Sequence, residues 1–337
     1  MKSAFEHIQS AHCENGVTTS LLKHNGVDFI TEPLAFGIGS GLFYIHVPFL
    51  KINNGPAIAF RTMPGAIFSR TCKSLGIKIQ KIKFKDELAA QHFLDDKLAQ
   101  NIPVGCQVGV FHLTYFPKEY RFHFNAHNLI VFGRLNDNFL ISDPVMESTT
   151  ELSVYDLNRA RFAKGPLAPK GHIYFPENVK DVCIEIVKKA IVKGIKRNVR
   201  DMLSIPGNIA GVKGIRYTSK KIRSWRTKLG PKVAGLYLGQ IVRMQEEIGT
   251  GGGGFRFIYA AFLQQSAQIL EDQRLLEISN DFSKSGDLWR LAATKMAGIF
   301  KGRNTTQEAY DEIADIYLKI YELEKNAFIK LKKLKLT

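Results

Sequence analysis

Three residues far apart in the sequence carry the side chains that acyl chemistry needs: Cys13, His127 and Asp143. A thiolate attacks carbonyls where a thiol barely does, and a helix N-terminus, a nearby imidazolium and partial exposure all favour the thiolate. Residues 13–25 read as a helix closed by Gly26, with Val17, Leu21 and Leu22 as a partial apolar face, so Cys13 opens a helix. There the macrodipole favours an anion, and a backbone N–H is free to help bind an oxyanion. His127 starts a strand and Asp143 ends its hairpin partner, which brings a base and an orienting carboxylate together. Levelling residues 127 and 143 centres the turn on Leu135, whereas the turn residues Asn136-Asp137-Asn138 sit later. A bulge or a wider loop must absorb the difference.

Each of these residues also has an ordinary reading: a buried small thiol, a satisfied strand-initial histidine, and an Asp-Pro turn. Neighbours compete for roles. Gln9, read as one helical turn before Cys13, is a candidate oxyanion donor; His12 is read as structural or as tuning the thiol. His123 is the rival base, although it falls in what reads as the loop before the strand. Glu32 and Arg61 are candidates to pair or to hold substrate. Cys106 lies in an apolar strand and reads as core. Cys13, His123, His127 and Asp143 are zinc-ligand types, but their spacing matches no common zinc pattern, so no metal site is expected.

The elements that must position these residues divide the chain in two. Residues 1–176 read as α+β: the Cys13 helix, a Gly-rich stretch Glu32–Tyr44, and an amphipathic helix over 86–100. Strands follow at Pro103–His112, His127–Gly133, Phe139–Ser142 and His172–Phe175, the last ended by Pro176. Ser153-x-x-Asp156 caps a short helix reaching about Ala163. Residues 177–337 read as all-α, with helices over 179–203, 233–248, 255–276, 288–301 and 306–334, a loose linker from Asn208 to Gly230, and a frayed tail. The segment Gly249-x-Gly251-x-x-Gly254 fits a dinucleotide fingerprint only formally, because no strand precedes it. Gly251, Gly252, Gly253 and Arg256 are either a tight interhelical turn or an anion site. Gly37–Gly41 is either a close-packed loop or a wall of the acyl site.

With 45% hydrophobic and 23% charged residues in 337, the chain is globular and long disorder is excluded. No apolar run reaches the length of a spanning helix, and the first residues lack a signal-peptide core, so a cytoplasmic location is expected. The four cysteines form no C-x-x-C pair. The formal net charge is +16: residues 1–175 hold 18 Lys+Arg against 14 Asp+Glu, and the remainder holds 29 against 17. The second half therefore calls for an acidic partner or an anionic surface. Its segment Lys188–Arg200 sets Lys188, Lys189, Lys193, Lys196, Arg197 and Arg200 beside Ile191, Val192, Ile195 and Val199, a basic amphipathic helix suited to an acidic protein or an anionic membrane. No zinc finger or patterned basic-aromatic groove points to nucleic acid.

Taken in order, several of these residues resemble the BtrH amino-terminal domain family, that of the butirosin-biosynthesis acyltransferase. The matching features are His12-Cys13, the run Thr31 to Leu42 (TEPLAFGIGSGL), Arg61, Pro103-Val104, His123-Phe124 with His127, and Ser142-Asp143-Pro144. The second half resembles the helical domain that often follows, through Gly249–Arg256, Phe262-Leu263 and Trp289. The resemblance implies a papain-like fold and an enzyme that moves an acyl group from the 4'-phosphopantetheine thioester of an acyl carrier protein to a small-molecule amine, with no bound cofactor. Carried over, Cys13 would take the acyl group, His127 would act as base and Asp143 would orient it. The helical domain would serve as lid and carrier docking site. Phe111-His112-Leu113-Thr114-Tyr115 departs from the polar, acidic stretch usual in the family, which puts an aminoglycoside acceptor in doubt. Two rivals remain open: a hydrolase (peptidase, amidase or thioesterase) with the same triad, and a non-catalytic binding protein.

Overall fold

The computed structural model describes residues 5–52, 55–248 and 250–336. In chain order the first elements are α1 (Cys13–His24), α2 (Glu32–Ile38), β1 (Leu42–Ile52), β2 (Gly55–Arg61), α3 (Ala66–Ser74) and β3 (Lys78–Ile82). Then come α4 (Glu87–Ala99), β4 (Val104–Val108), β5 (His127–Leu135), β6 (Asn138–Ser142), β7 (Thr150–Ser153), α5 (Val154–Arg161) and β8 (Ile173–Glu177). The rest is helical: α6 (Ile184–Leu203), α7 (Gly211–Val242), α8 (Arg256–Ile269), α9 (Gln273–Phe300) and α10 (Gln307–Lys333). Two compact units form, neither contiguous in sequence. One comprises Met1–Ala35 and Ile67–Ile186, the other Phe36–Ala66 and Val187–Thr337.

The first unit is built on a six-stranded antiparallel sheet, ordered β3-β8-β4-β5-β6-β7. One core gathers Val104, Cys106 and Val108 of β4, Leu129 and Val131 of β5, and Ile173 and Phe175 of β8, packed with Leu94 of α4 and Leu157 and Ala160 of α5. These positions alternate along each strand, as a pleat buried on this face requires. α1 packs on β4, β5 and β8 and is buried continuously from Cys13 to Leu22, which explains why its sequence carries only a weak apolar stripe. The β5–β6 hairpin turns at Asn136-Asp137, with Asn136 in the left-handed region at φ 53°. Its register shifts between Val131 and Gly133, but the shift does not bring His127 level with Asp143 as the sequence alone suggests.

The second unit pairs the β1–β2 hairpin with the helices. Residues 208–230 are not a loose linker: α7 begins at Gly211 and buries Val212, Ile215, Ser219, Ile222 and Trp225 on one face. It kinks at Gly230, φ 77°, with Pro231 beyond. The separate helices expected over 255–276 and 288–301 are cut differently. α8 stops at Ile269, and α9 starts at Gln273, where Asp272 caps it by accepting from Arg274 N, then runs unbroken to Phe300. Nor does the tail fray as expected, since α10 reaches Lys333 and Leu336 is buried; Thr337 lies outside the described residues. No helix among the described residues is long and apolar enough to cross a membrane.

Candidate functional site

The first unit brings Cys13, His127 and Asp143 together. Cys13 is the first residue of α1. His12 caps that helix: its Nδ1 accepts from Asn15 N at 3.3 Å. The carboxylate of Glu32 accepts from Ala11 N at 2.9 Å and His12 N at 2.8 Å, so it fixes the chain entering the helix. Burial raises the Glu32 pKa, opposed by these backbone donors. On the far side of Cys13, Glu14 is fully buried and accepts from Ile67 N at 2.9 Å, at the start of α3. Both neighbours of the thiol are thus tied into the scaffold.

His127 and Asp143 are not level across the hairpin. The ladder pairs Ile130 with Ser142, so Leu129 stands level with the next residue, Asp143, and His127 is its diagonal neighbour on the same face. The diagonal suffices: His127 Nε2 lies 2.7 Å from Asp143 Oδ2. The Cys13 side chain acts on the same imidazole and favours its charged form. Burial alone works against a charged imidazole, but Asp143 and Cys13 outweigh it and raise the His127 pKa to about 10. Phe116 stands edge-on to the ring, at a centroid distance of 5.8 Å.

Asp143 is fully buried and accepts three hydrogen bonds: from His127, from Tyr115 Oη at 2.7 Å, and from Val145 N at 3.2 Å to Oδ1. Burial and Asp143 hold the Tyr115 pKa far above its ordinary value, so the phenol stays a donor. The Asp143-Pro144 corner is also anchored from outside. Ser10 N donates to Pro144 O at 2.7 Å, and the ring of His7 bridges Ser142 Oγ at 2.8 Å and Met146 O at 3.1 Å. Gly16 lets this corner sit against α1, since a Cβ there would fall 2.4 Å from Pro144 Cβ.

A further polar residue faces the sulfur: Asn128 Nδ2 lies 3.8 Å from Cys13 Sγ, and Asn128 Oδ1 accepts from Tyr174 Oη at 2.8 Å. Sequence reasoning missed Tyr115, Asn128 and Tyr174. The available signal for Asn128 was a second polar residue, after His127, directly before the apolar run Leu129–Phe132. The other cysteines differ in kind. Burial pushes Cys72 up to about 12 and Cys106 to about 11, which leaves both inert, while Cys183 is exposed.

The remaining candidates sit elsewhere or are otherwise engaged. Gln9 is exposed in an irregular segment; the helix begins only at Cys13, so the helical-turn spacing that made Gln9 an oxyanion donor does not exist. His123 is exposed and stacks on Phe111 at 4.3 Å, beside a surface cleft that also includes His112 and Arg159. Arg61 belongs to the second unit, at the end of β2, where Nε donates to Thr62 O at 3.0 Å. In that unit the anion-site reading of the glycine turn is also corrected. Gly252 N donates to Thr250 Oγ1 and Gly253 N to the Glu246 carboxylate. Gly251 is a positive-φ turn residue, and Gly249 lies outside the described residues. Arg256 is fully buried: Nε and one terminal nitrogen clasp Glu324 at 2.8 and 3.0 Å, and the other terminal nitrogen donates to Gly254 O. Glu324 further accepts from Ser285 and Trp289, so this charge pair is internal structure. Gly37 is seated against the ring of Phe262, a close-packed position in the same unit.

A thiol at a helix N-terminus, acting on an imidazole that a buried carboxylate holds, can form and break thioesters. The family profile described as butirosin biosynthesis protein H, N-terminal, matches residues 12–144, a span that includes Cys13, His127 and Asp143. A domain of unknown function, DUF4872, matches residues 155–331, just over half the chain. Among solved structures, a protein described as a C39-like peptidase from Bacillus anthracis is 14% identical, with 52% of this chain and 96% of that one covered, at a TM-score of 0.37. No curated protein matches the chain. A helix opening on a cysteine packs here against an antiparallel sheet whose strand opens on a histidine, and the chain belongs to the DUF4872 family, with a region matching the butirosin biosynthesis protein H N-terminal profile preceding that domain.

Proposed function

We propose that the protein is a cysteine-dependent acyltransferase that takes an acyl group from the thioester of an acyl carrier protein and passes it to an amine or hydroxyl of a small molecule, in secondary-metabolite or lipid biosynthesis. The observation that carries this reading is a cysteine at a helix N-terminus acting on the His127 imidazole, which Asp143 holds at 2.7 Å. In the first half-reaction the Cys13 thiolate attacks the thioester carbonyl. The tetrahedral oxyanion collapses and expels the phosphopantetheine thiolate, which takes the proton of the His127 imidazolium. In the second, the neutral imidazole removes the acceptor's N–H or O–H proton as it attacks the acyl carbon, and Cys13 leaves as thiolate. The net exchange is a thioester for an amide or ester, with the carrier thiol released. Asp143 holds the imidazole tautomer throughout.

Transfer requires the acceptor to outcompete water. Cys13 and His127 are each only 7% exposed and Asp143 is fully buried, so bulk water has little access to the site at rest. Carrier recognition is argued from charge. On α6, Lys189, Lys193, Lys196 and Arg200 are exposed at a spacing that aligns them in one stripe, and with Arg197, Val192 and Leu336 they line an open groove of about 670 Å³. An acidic carrier protein suits such a rim, through steering more than through affinity.

The test is incubation with an acetylated carrier protein, followed by intact-mass measurement. An acetyl increment on the wild type and none on Cys13→Ala supports the reading, and equal increments on both defeat it. Loss of the increment to water, at the same rate with and without candidate acceptors, would make the protein a thioesterase instead.

A further inference from the structure

The side chain of Asn128 is fully partnered, and its partners fix which way it points. Its Nδ2 donates to Ala126 O at 3.1 Å and to Cys13 Sγ at 3.8 Å, while Oδ1 accepts from Tyr174 Oη at 2.8 Å. An amide is ambiguous between its oxygen and nitrogen until a neighbour decides, and here the Ala126 carbonyl decides. A carbonyl can only accept, so the NH₂ must face it, and the other N–H of the same group is then delivered toward the sulfur. The phenol secures the opposite end of the amide. Tyr174 sits in β8 against Phe68, at a ring distance of 4.7 Å, and its ring occupies the space above Gly105, where a Cβ would approach to 2.6 Å. Asn128 is 3% exposed and Tyr174 2%, so water does not compete for either group.

We infer that Asn128 is a catalytic residue of this site: its amide N–H stabilises and aims the Cys13 thiolate, and Tyr174 acts behind it as a positioning residue. This rests on the reading of Cys13 as nucleophile and adds a donor that the triad does not contain. A neutral thiol accepts hydrogen bonds feebly, whereas a thiolate is a full anion, so a fixed donor favours the charged, attacking form. The donor lies on β5 directly after His127, so one strand end presents to the sulfur both the base and the amide that holds the anion while the imidazole carries its proton. The amide also restricts where the sulfur lone pair points during attack. It fills part of the supporting role that Gln9 had seemed to offer.

The test is Cys13 alkylation by iodoacetamide at pH 6 and pH 9.5, read by peptide mass in the full-length chain, with glutathione as the small-thiol reference. The wild type is expected to react at pH 6 well above glutathione. Asn128→Ala should lower the pH 6 rate about tenfold and leave the pH 9.5 rate within about twofold. The isosteric Asn128→Asp, which turns a carboxylate toward the sulfur, should lower it further. Tyr174→Phe, which keeps the ring but frees one end of the amide, should cost about threefold at pH 6. A purely structural role would change both rates together and leave their ratio fixed. If Asn128→Ala fails to give a cooperative melt, Asn128→Asp and Tyr174→Phe decide the question. An unchanged pH 6 to pH 9.5 ratio in these variants overturns the role of Asn128 and leaves the triad intact. A wild type no faster than glutathione at pH 6 removes the nucleophile reading itself.

Discussion

At the scale of the residue, the imidazole of His127 carries the clearest consequence. Its pKa stands raised from 6.5 to about 10, so the group contributes most to stability while it is charged. That contribution is complete below its ordinary value, declines as the pH rises, and is gone above about 10. Melting curves of the wild type and His127→Gln should therefore converge from pH 6.5 upward and meet near pH 10; curves that run parallel would contradict the pairing. Turnover should fall over the upper part of the same range, because the leaving thiolate loses its proton donor. Tyr115 supplies one of the three hydrogen bonds to Asp143. Tyr115→Phe should lower kcat about tenfold with little change in KM, as expected when a neutral donor to a charged group is lost. A change confined to KM would place Tyr115 in substrate binding instead.

At the scale of the element, the site depends on a hairpin corner being pressed against a helix. Gly16→Ala puts a methyl group into Pro144, so it should cost about 1–3 kcal/mol and lower activity at temperatures where the chain remains folded. A wild-type melting temperature and rate in this variant would show that the corner is not clamped. Much of this arrangement was legible in the sequence. The Cys13 helix, the His127 strand and the Asn136-Asp137 turn follow from local signals, whereas the expected levelling of His127 with Asp143 gives way to a diagonal pairing. What was not legible came from packing. α1 is buried on every side, so its residues carry little periodicity. Residues 211–229 read as loose because glycines were weighed as breakers. Gly214 in fact permits a close approach, where a Cβ would lie 2.6 Å from Ile209 O, within a continuous buried face. Asn128 and Tyr174 sit 46 positions apart, and only strand order joins them. The Gly251–Gly254 turn resembled an anion site because one of its donors, Gly253 N, does bind a carboxylate, but that carboxylate is the chain's own Glu246. Glu324→Ala, which strands the fully buried Arg256, should destabilise by about 3–5 kcal/mol; a loss below 1 kcal/mol would contradict that internal pairing.

At the scale of the whole molecule, a formal charge of +16 sets how the protein meets a partner. Reversing Lys189, Lys193 and Lys196 to Glu should weaken binding to an acidic carrier protein and flatten its dependence on salt. Acylation of Cys13 by a small thioester should stay unchanged, which separates docking from chemistry. Unchanged carrier binding would remove α6 from the docking surface, and preferential capture by anionic lipid vesicles would reassign the stripe to a membrane. The account as a whole stands on one covalent event. Trypsin releases Cys13 in a peptide from Ser3 to Lys23 that contains no other cysteine, so the acetyl group can be located after brief exposure to acetylated carrier protein. The account predicts one acetyl on that peptide in the wild type, markedly less in His127→Ala, and transfer of the group to an added amine. An acetyl group found only on other peptides, or an unmodified Ser3–Lys23 peptide throughout turnover, would contradict it.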